Sequence, residues 1–198
     1  MMGSTYVKIP KDRIGVLIGP EGRVKEAIEK KLGVKIKVDS KEGDVLISLN
    51  PDNDDPSSIF RAKEVVLSIG RGFSPERAFK LLEGEDYCLE IIDLRDILGR
   101  SPSEIKRVKG RVIGKGGKMR RNIEELTGTY ISVYGHTISI IGDFEQVQTA
   151  KEAVMMLIQG SEHGTVNRFL HRKRRELKRR ALELWEPSPP SREEDTLT

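Results

Sequence analysis

The sequence predicts an α+β fold in which one β-α-α-β-β-α unit occurs twice and is followed by a long basic helix. Glycines and apolar residues recur 95 positions apart in the two halves of the 198-residue chain, in one register across successive elements, which indicates a duplicated domain. Only a tighter hairpin in the second half shifts the register, so that residues 62–66 align with residues 150–154. The paired positions are Gly19 with Gly114, Gly22 with Gly117, Ile28 with Ile123, Gly33 with Gly128, Ile36 with Ile131 and Val38 with Val133.

In the first copy, alternating apolar residues predict three strands and helical spacing predicts three helices. Gly33 follows the second helix as a C-terminal stop. We therefore expect a three-stranded antiparallel sheet packed against helices. The predicted elements are strand 5–9, helix 11–18, helix 23–32, strands 34–38 and 45–49, and helix 59–69.

The second copy repeats this order, and an amphipathic helix over residues 166–185 follows it. Opposite the apolar stripe of that helix lie eight Lys or Arg residues between positions 168 and 180, which favours a phosphate-tracking surface over an ordinary solvated face. Residues 74–82 form a shorter counterpart after the first copy. The predicted strands of the second copy are 87–92, 131–133 and 137–141; the predicted domains are 4–84 and 85–160, with a basic helix at 161–186 and a disordered tail at 187–198.

The turn Gly114-Lys-Gly-Gly117 connects the apolar pair Val112 and Ile113 to a helix that begins with basic residues. Glycines let the backbone approach a ligand closely, and the helix N-terminus offers unpaired N–H groups and a partial positive charge. This combination is typical of a K-homology (KH) site, whose G-x-x-G turn clamps about four nucleotides. The glycine spacing excludes a Walker A loop and a dinucleotide fingerprint. A turn whose glycines have only a structural role is the remaining alternative.

The two G-x-x-G turns differ in their chemistry. The first contains Pro20, which has no N–H, and Glu21, which repels phosphate. The second keeps every N–H and adds Lys115. We therefore expect the second copy to be the principal RNA clamp. The first copy is then a weaker accessory site, or a scaffold and protein-binding face.

Charge is distributed unevenly along the chain. Residues 1–86 contain 15 Lys or Arg and 15 Asp or Glu, whereas residues 87–186 contain 19 and 13, so the positive field belongs to the second half. The aromatic content of 5% argues against base stacking as the main binding mode. No spacing of His, Cys or carboxylate residues predicts a catalytic centre, a metal site or a cofactor. The single cysteine, Cys88, lies in a predicted strand and fits a reducing compartment.

With these features the chain resembles the archaeal form of the partner-of-Nob-one proteins, which are KH-domain assembly factors of the small ribosomal subunit. The resemblance covers residues 5–185. It rests on the tandem repeat, on Gly110-Arg-Val-Ile-Gly-Lys-Gly-Gly-Lys118, on Leu157-Ile-Gln-Gly-Ser161 and on the basic C-terminal helix. It implies binding of single-stranded RNA in the 3′ region of small-subunit precursor rRNA, a Nob-one-type endonuclease as partner, and no RNA cleavage by this chain itself.

The KH motif assigns roles by position. The turn contacts phosphates, the cations after it hold the strand, and apolar side chains, with Met119, line or support the groove. The basic helix adds three cations. The predicted RNA-binding residues are Ile113, Gly114, Lys115, Gly116, Gly117, Lys118, Arg120, Arg121, Ile131, Val133, Arg172, Lys173 and Arg175; the accessory set in the first copy is Ile18, Gly19, Gly22, Arg23 and Lys25.

Two other functions stay open on the sequence alone. An RNA-decay accessory subunit of the exosome type also carries KH domains, but such subunits usually add an S1-type barrel, and the sequence has no run of five short strands. A protein-interaction scaffold with a degenerate KH fold would fit the first copy. The many Lys, Glu and Arg residues favour a thermophilic source, and the lack of a long apolar run leads us to expect no membrane partner. The resemblance implies an archaeal protein, and we expect a monomer in the cytoplasm.

Overall fold

The computed structural model describes residues 4–183, and within them the chain forms two three-stranded sheets and nine α-helices. The predicted tail and the last residues of the predicted basic helix lie outside this range. The strands are β1 (Ser4–Lys8), β2 (Val34–Val38), β3 (Asp44–Leu49), β4 (Tyr87–Asp93), β5 (Tyr130–Tyr134) and β6 (Thr137–Asp143). The helices are α1 (Lys11–Ile18), α2 (Arg23–Leu32), α3 (Ser57–Gly70), α4 (Pro75–Ala78), α5 (Leu94–Leu98), α6 (Pro102–Ile113), α7 (Lys118–Thr127), α8 (Phe144–Ile158) and α9 (His163–Glu183).

Both copies have the predicted strand and helix order, and the α+β prediction is confirmed. The first sheet has the strand order β1-β3-β2 and the second β4-β6-β5, with every pairing antiparallel. In each sheet the last strand in the chain lies in the middle. The second strand of each copy, β2 or β5, is therefore a sheet edge.

The repeat extends to the hydrogen bonds that fix each copy. Helices α2 and α7 end at left-handed glycines, Gly33 (φ 60°, ψ 40°) and Gly128 (φ 76°, ψ 22°), as the sequence indicates. In the first copy Glu29 Oε1 accepts a hydrogen bond from the backbone N–H of Ile36 at 2.7 Å. In the second copy Glu124 Oε1 accepts the equivalent bond, also at 2.7 Å. A carboxylate from the second helix thus holds the edge strand in both copies.

The sheet of the second copy is covered on both faces. Along β6, Ile138 and Ile140 belong to the core of the second copy, whereas Ile141 belongs to the core of the first. On β5, Ser132 Oγ donates a hydrogen bond to the carbonyl oxygen of Arg71 at 2.8 Å. Because successive strand residues point to opposite faces, the first copy packs on the sheet face opposite the helices of the second.

The joint between the copies is formed largely by the end of the first copy. The 3₁₀ turn that follows helix α4, Phe79–Leu82, contacts β4 and β6, and helix α3 also contacts β4. The Arg77 guanidinium is 5.3 Å from the centroid of the Tyr130 ring and 3.5 Å from Glu124 Oε1. A Cβ atom at Gly72 would lie 2.7 Å from Ser132 Oγ, so the backbone of the first copy passes very close to the second copy there.

Most element ends differ from the predicted ones by one to three residues, among them those of β1 and α9. Strand β1 covers Ser4–Lys8 and not the predicted residues 5–9. Ile9 lies just beyond the strand and is nevertheless buried. Helix α9 begins at His163, three residues before the predicted start, and its Val166 and Leu170 are buried in the second core. Helix α5 has no signal in the repeat pattern, because it lies in a segment between β4 and α6 that the first copy lacks.

Candidate nucleic-acid interface

The two G-x-x-G turns have nearly the same backbone. Gly19 and Gly114 have φ 73° and 71° with ψ 176° in both. Gly22 (φ 81°, ψ 3°) and Gly117 (φ 76°, ψ 13°) are left-handed N-caps of the following helices. Any functional difference between the turns therefore comes from side chains and N–H groups and not from the path of the backbone.

The outer part of the second turn is open. A Cβ atom at Gly114 would lie 2.7 Å from Met119 Cβ, so the inner side packs tightly on α7. Cβ atoms at Gly116 (φ 59°, ψ 25°) and Gly117 would meet no heavy atom within 4 Å. Lys115 is exposed at the outer edge. A phosphate can therefore approach the glycine backbone and the N-terminus of α7 without steric hindrance.

The first turn has the same shape but presents an acid. Glu21 takes the position of Gly116 and is left-handed (φ 54°, ψ 22°), the one non-glycine residue with positive φ in the described range 4–183. Such a conformation costs an L-residue roughly 1–2 kcal/mol. Glu21 Oε2 accepts a hydrogen bond from Arg23 at 2.5 Å, which pairs one predicted accessory cation with an acid. Lys25 Nζ, another, lies 3.9 Å from Glu29 Oε1.

The KH pattern leads us to expect the base-binding groove beside the second turn, between α6, α7 and the edge strand β5. Ile113 and Val133 are half-buried and available to line it. Ile131 and Met119 are 1% and 4% exposed, so their side chains lie in the core and support the groove from below. In the first copy, Ile18 is half-buried beside Gly19 in the same way as Ile113 beside the second turn.

The predicted cations of α7 occupy different environments. Lys118 is exposed at the first position of the helix. Arg121 donates a hydrogen bond to the carbonyl oxygen of Gly116 at 2.9 Å and so braces the turn from outside. The Nε atom of Arg120 is buried, lies 3.9 Å from Glu124 Oε2 and has no hydrogen-bond partner among the described residues. Lys115 and Lys118 are thus the cations most accessible to RNA.

Helix α9 adds a second wall that the sequence reading missed. A cleft of about 330 Å³ separates the second turn and the start of α7 from α9. Its α9 wall consists of His163, Asn167 and His171, and Asn122 Nδ2 on α7 donates to Asn167 Oδ1 at 2.6 Å across it. Spacing of four residues along α9 places these three side chains on one face, a signal that was present in the sequence.

The three predicted cations of α9 differ in their partners. Arg172 and Lys173 lie 3.9 Å and 3.8 Å from the carboxylate oxygens of Glu176. Both also lie 5.9 Å from the centroid of the Phe169 ring. Arg175 is exposed and lines a shallow cleft together with Arg172. Their predicted contact with RNA stays a prediction, and Arg175 is the least neutralised of the three.

Other chemistry has little support in the described part of the chain. Residues 4–183 contain no cluster of three or more His, Cys, Asp or Glu that could hold a metal ion. Burial raises the pKa of the Cys88 thiol, with Glu64 as a second cause, so this cysteine is a poor nucleophile. Between residues 4 and 183 no helix has the length and apolar character needed to cross a bilayer.

Both copies have the antiparallel βααββα order, with α5 as an addition in the second, and each has a G-x-x-G turn between the two helices that precede its second strand. These features define a tandem type I KH protein. The family model for the second KH domain of PNO1, a eukaryotic-type KH domain of type I, matches residues 88–175, and the general KH-domain model matches residues 4–68. The KH domain-containing protein MJ0443 of Methanocaldococcus jannaschii is 52% identical over 179 residues, which cover 90% of this chain and 78% of that protein. The chain belongs to the PNO1/Dim2 family of tandem KH proteins.

Two further relatives connect this family to ribosomal RNA. The pre-rRNA-processing protein PNO1 of Saccharomyces cerevisiae is 26% identical over 164 residues, which cover 82% of this chain and 60% of that protein. A crystal structure of an a/eIF2alpha–aDim2p–rRNA complex from Pyrococcus horikoshii OT3 contains a similar fold. Its TM-score is 0.83 with 48% identity, over 88% of this chain and 96% of the other.

Proposed function

We propose that this chain is an RNA-binding factor of ribosome biogenesis that holds single-stranded precursor rRNA in the groove of its second KH domain. The observation that carries the proposal is the second turn, Gly114–Gly117. It is open on its outer side, is left-handed at Gly116, contains Lys115 and directly precedes Lys118 at the N-terminus of α7. Backbone N–H groups, the helix dipole and two lysines all favour a phosphate at this place.

The relatives support rRNA as the ligand. The yeast relative is named for pre-rRNA processing, and the Pyrococcus structure is a complex that includes rRNA. With 48% identity over 88% of this chain, that structure is similar throughout both KH domains. A single strand fits the groove because bases must leave a helix to enter it.

The more specific part of the proposal concerns the site on the RNA and the partners. The 3′ region of the small-subunit precursor is the proposed target, and a Nob-one-type endonuclease is the proposed partner. The chain acts without cutting RNA itself, as a monomer in the cytoplasm.

The two copies divide the work. The second copy clamps RNA, because its turn has accessible lysines where the first has Pro20 and the Glu21–Arg23 pair. The first copy is an accessory RNA site or a protein-binding face. The rival assignment as an exosome-type subunit has less support, since the sheets found in residues 4–183 are two KH sheets and no barrel.

Crosslinking in cells tests this proposal directly. Ultraviolet crosslinking of the tagged full-length chain, followed by sequencing of the RNA and mass spectrometry of the peptides, identifies substrate and site together. We expect reads near the 3′ end of small-subunit precursor rRNA and crosslinked peptides within residues 113–133. Reads spread over messenger RNA, or crosslinks confined to the first copy, would contradict the proposal.

A matched pair of variants makes the test sharper. Lys118 and Arg23 lie at equivalent positions 95 residues apart, each at the start of the helix after its turn. We expect Lys118→Glu to reduce the crosslinking yield severalfold and Arg23→Glu to leave it nearly unchanged, because Arg23 is already paired with Glu21. Equal losses would show that the two turns contribute equally.

A further inference from the structure

We propose that the second KH domain has an additional site for the RNA backbone at the N-terminal end of α6. This site binds nucleotides beyond those held at the second turn. The proposal rests on the proposed function of that domain. The site is a cleft of about 610 Å³ between α5, the start of α6 and the β5–β6 turn, and we call it the distal basic cleft. Its basic lining residues are Arg95, Arg100, Lys106, Lys109 and His136.

Three of these cations are not neutralised. Arg95, Arg100 and Lys106 are exposed, and none of them forms an ion pair with any acid in residues 4–183. On a surface whose charges serve only solubility, positive and negative side chains are usually interspersed. The distal basic cleft instead concentrates charge of one sign, which is the pattern of a site for an anionic ligand.

None of the nearby acids lines the cleft, and two of them, Asp93 and Glu104, already have partners. Asp93 Oδ1 caps α5 by accepting a hydrogen bond from the backbone N–H of Arg95 at 2.8 Å. The other carboxylate oxygen, Oδ2, is 3.3 Å from His136 Nε2. Glu104 accepts a hydrogen bond from Arg107 at 2.6 Å. Asp96 is exposed on α5 and does not line the cleft. The local field at Arg100 and Lys106 therefore stays positive.

The distal basic cleft is built by a segment that only the second copy has. Two residues separate β1 from α1, whereas eight residues, 94–101, separate β4 from α6. Helix α6 is also longer than its counterpart, with 12 residues against 8 in α1. Arg95 and Arg100 belong to the added segment, so the copy with the phosphate-compatible turn is also the copy with the additional cations.

The distal basic cleft lies along the same helix as the second turn. Lys106 precedes Gly114 by eight residues on α6, which corresponds to about 12 Å along the helix axis at roughly 1.5 Å per residue. Lys109 Nζ donates a hydrogen bond to the carbonyl oxygen of Gly135 at 2.7 Å and fixes the β5–β6 turn against α6. One strand of RNA held at the turn can therefore run along α6 and place its next phosphates against Arg100 and Lys106, whose donors suit phosphate oxygens.

The test measures binding of the full-length chain to random-sequence single-stranded RNA pools of 5 and 10 nucleotides. The variant is Lys106→Glu, and the control is Lys11→Glu, the equivalent exposed position in α1. We expect Lys106→Glu to weaken binding of the 10-nucleotide pool about 30-fold, since attraction to a phosphate at about 4 Å becomes repulsion. The slope of log Kobs against log salt should fall by about 0.7 per lost phosphate contact. Binding of the 5-nucleotide pool, and all binding by Lys11→Glu, should stay at the wild-type level.

Three results would overturn the inference, and they are distinguishable. Wild-type affinity of Lys106→Glu for the 10-nucleotide pool would remove the distal basic cleft from the RNA path and leave the proposed function intact. Binding of a poly-glutamate peptide that Lys106→Glu abolishes, with RNA binding unchanged, would assign the cleft to an acidic protein segment. A wild-type chain that binds neither RNA pool would refute both the inference and the proposed function.

Discussion

Replacement of Gly116 by aspartate tests the RNA clamp with little damage to the fold. Gly116 is left-handed, a conformation that aspartate and asparagine tolerate better than other side chains. No heavy atom lies within 4 Å of a Cβ added there, so the new side chain has room. The chain itself carries an acid at this position in its first copy, where Glu21 has the same backbone angles within a few degrees.

The expected effect on binding follows from the charge. A carboxylate at about 4 Å from a phosphate is repelled by about 1 kcal/mol in water and by about 4 kcal/mol at the effective dielectric of a protein surface. RNA affinity should therefore fall between about 5-fold and about 1,000-fold. The left-handed residue should cost the fold about 1 kcal/mol, which lowers the melting temperature by about 2–4 °C in a chain of this size.

The assay compares three proteins by fluorescence anisotropy with a labelled single-stranded RNA and by thermal unfolding. Gly116→Asn is the matched control, because it brings the same backbone strain and nearly the same volume without the charge. We expect Gly116→Asn to bind within a few-fold of the wild type and Gly116→Asp to lose most of its affinity, with equal melting temperatures. Equal affinities of the two variants would show that no phosphate approaches Gly116 and would refute the clamp.

Three further predictions concern stability. Glu21→Gly should raise the melting temperature by about 2–4 °C, because it removes a left-handed strain of about 1 kcal/mol. Glu124→Ala should destabilise the protein by about 1–3 kcal/mol, since it leaves the backbone N–H of Ile131 on the edge strand unpaired. The loss should exceed that of Glu29→Ala, because Glu124 also forms an ion pair with Arg77 of the first copy. Burial raises the pKa of Glu64 above its ordinary value of 4.5, against an opposing effect of a nearby arginine. The ionised form of Glu64 therefore destabilises the folded protein. Glu64→Gln should stabilise the protein at pH 7, where Glu64 is ionised, and not below about pH 4, where it is protonated.

Thermal unfolding, followed by circular dichroism, measures all three. No rise in melting temperature for Glu21→Gly would mean that the left-handed turn is unstrained. Equal losses for the Glu124→Ala and Glu29→Ala variants would remove the joint between the copies from the stability argument. For Glu64 the sign is decisive: a raised pKa stabilises the folded state only where the group is protonated, so a benefit of Glu64→Gln that persists at pH 3 would contradict burial as the cause.

The glycine register made much of the site predictable. Gly114 is required by its backbone angles and by its close packing on Met119, and Gly117 by its left-handed backbone angles. A glycine at such a position in the sequence indicates these local properties. The difference between the turns was predictable for the same reason, because Pro20 and Glu21 change the chemistry without changing the backbone. The partners of the side chains were harder to predict from the sequence. Nothing in the residue spacing shows that Arg121 donates a hydrogen bond to the carbonyl oxygen of Gly116.

Other parts of the site depend on contacts between distant segments. In the sequence, Glu124 is one more acidic residue on a helix surface. In the structure it accepts a hydrogen bond from the backbone N–H of Ile131 and forms an ion pair with Arg77 of the other copy. The α9 wall of the cleft at the second turn was hidden for a similar reason. His171 and Asn167 become part of the site only because α9 packs against α7.

The sequence by itself determined the duplicated unit, the turn that can accept a phosphate and the inequality of the two copies. Each of these is written in short stretches where backbone freedom, helix periodicity and charge act over a few residues. Tertiary structure alone decided that the first copy covers the sheet of the second, that Ile141 belongs to the core of the first copy, and that an added segment gathers cations at the end of α6. Those outcomes arise from packing between residues far apart in the chain, and periodicity carries no record of which apolar face meets which.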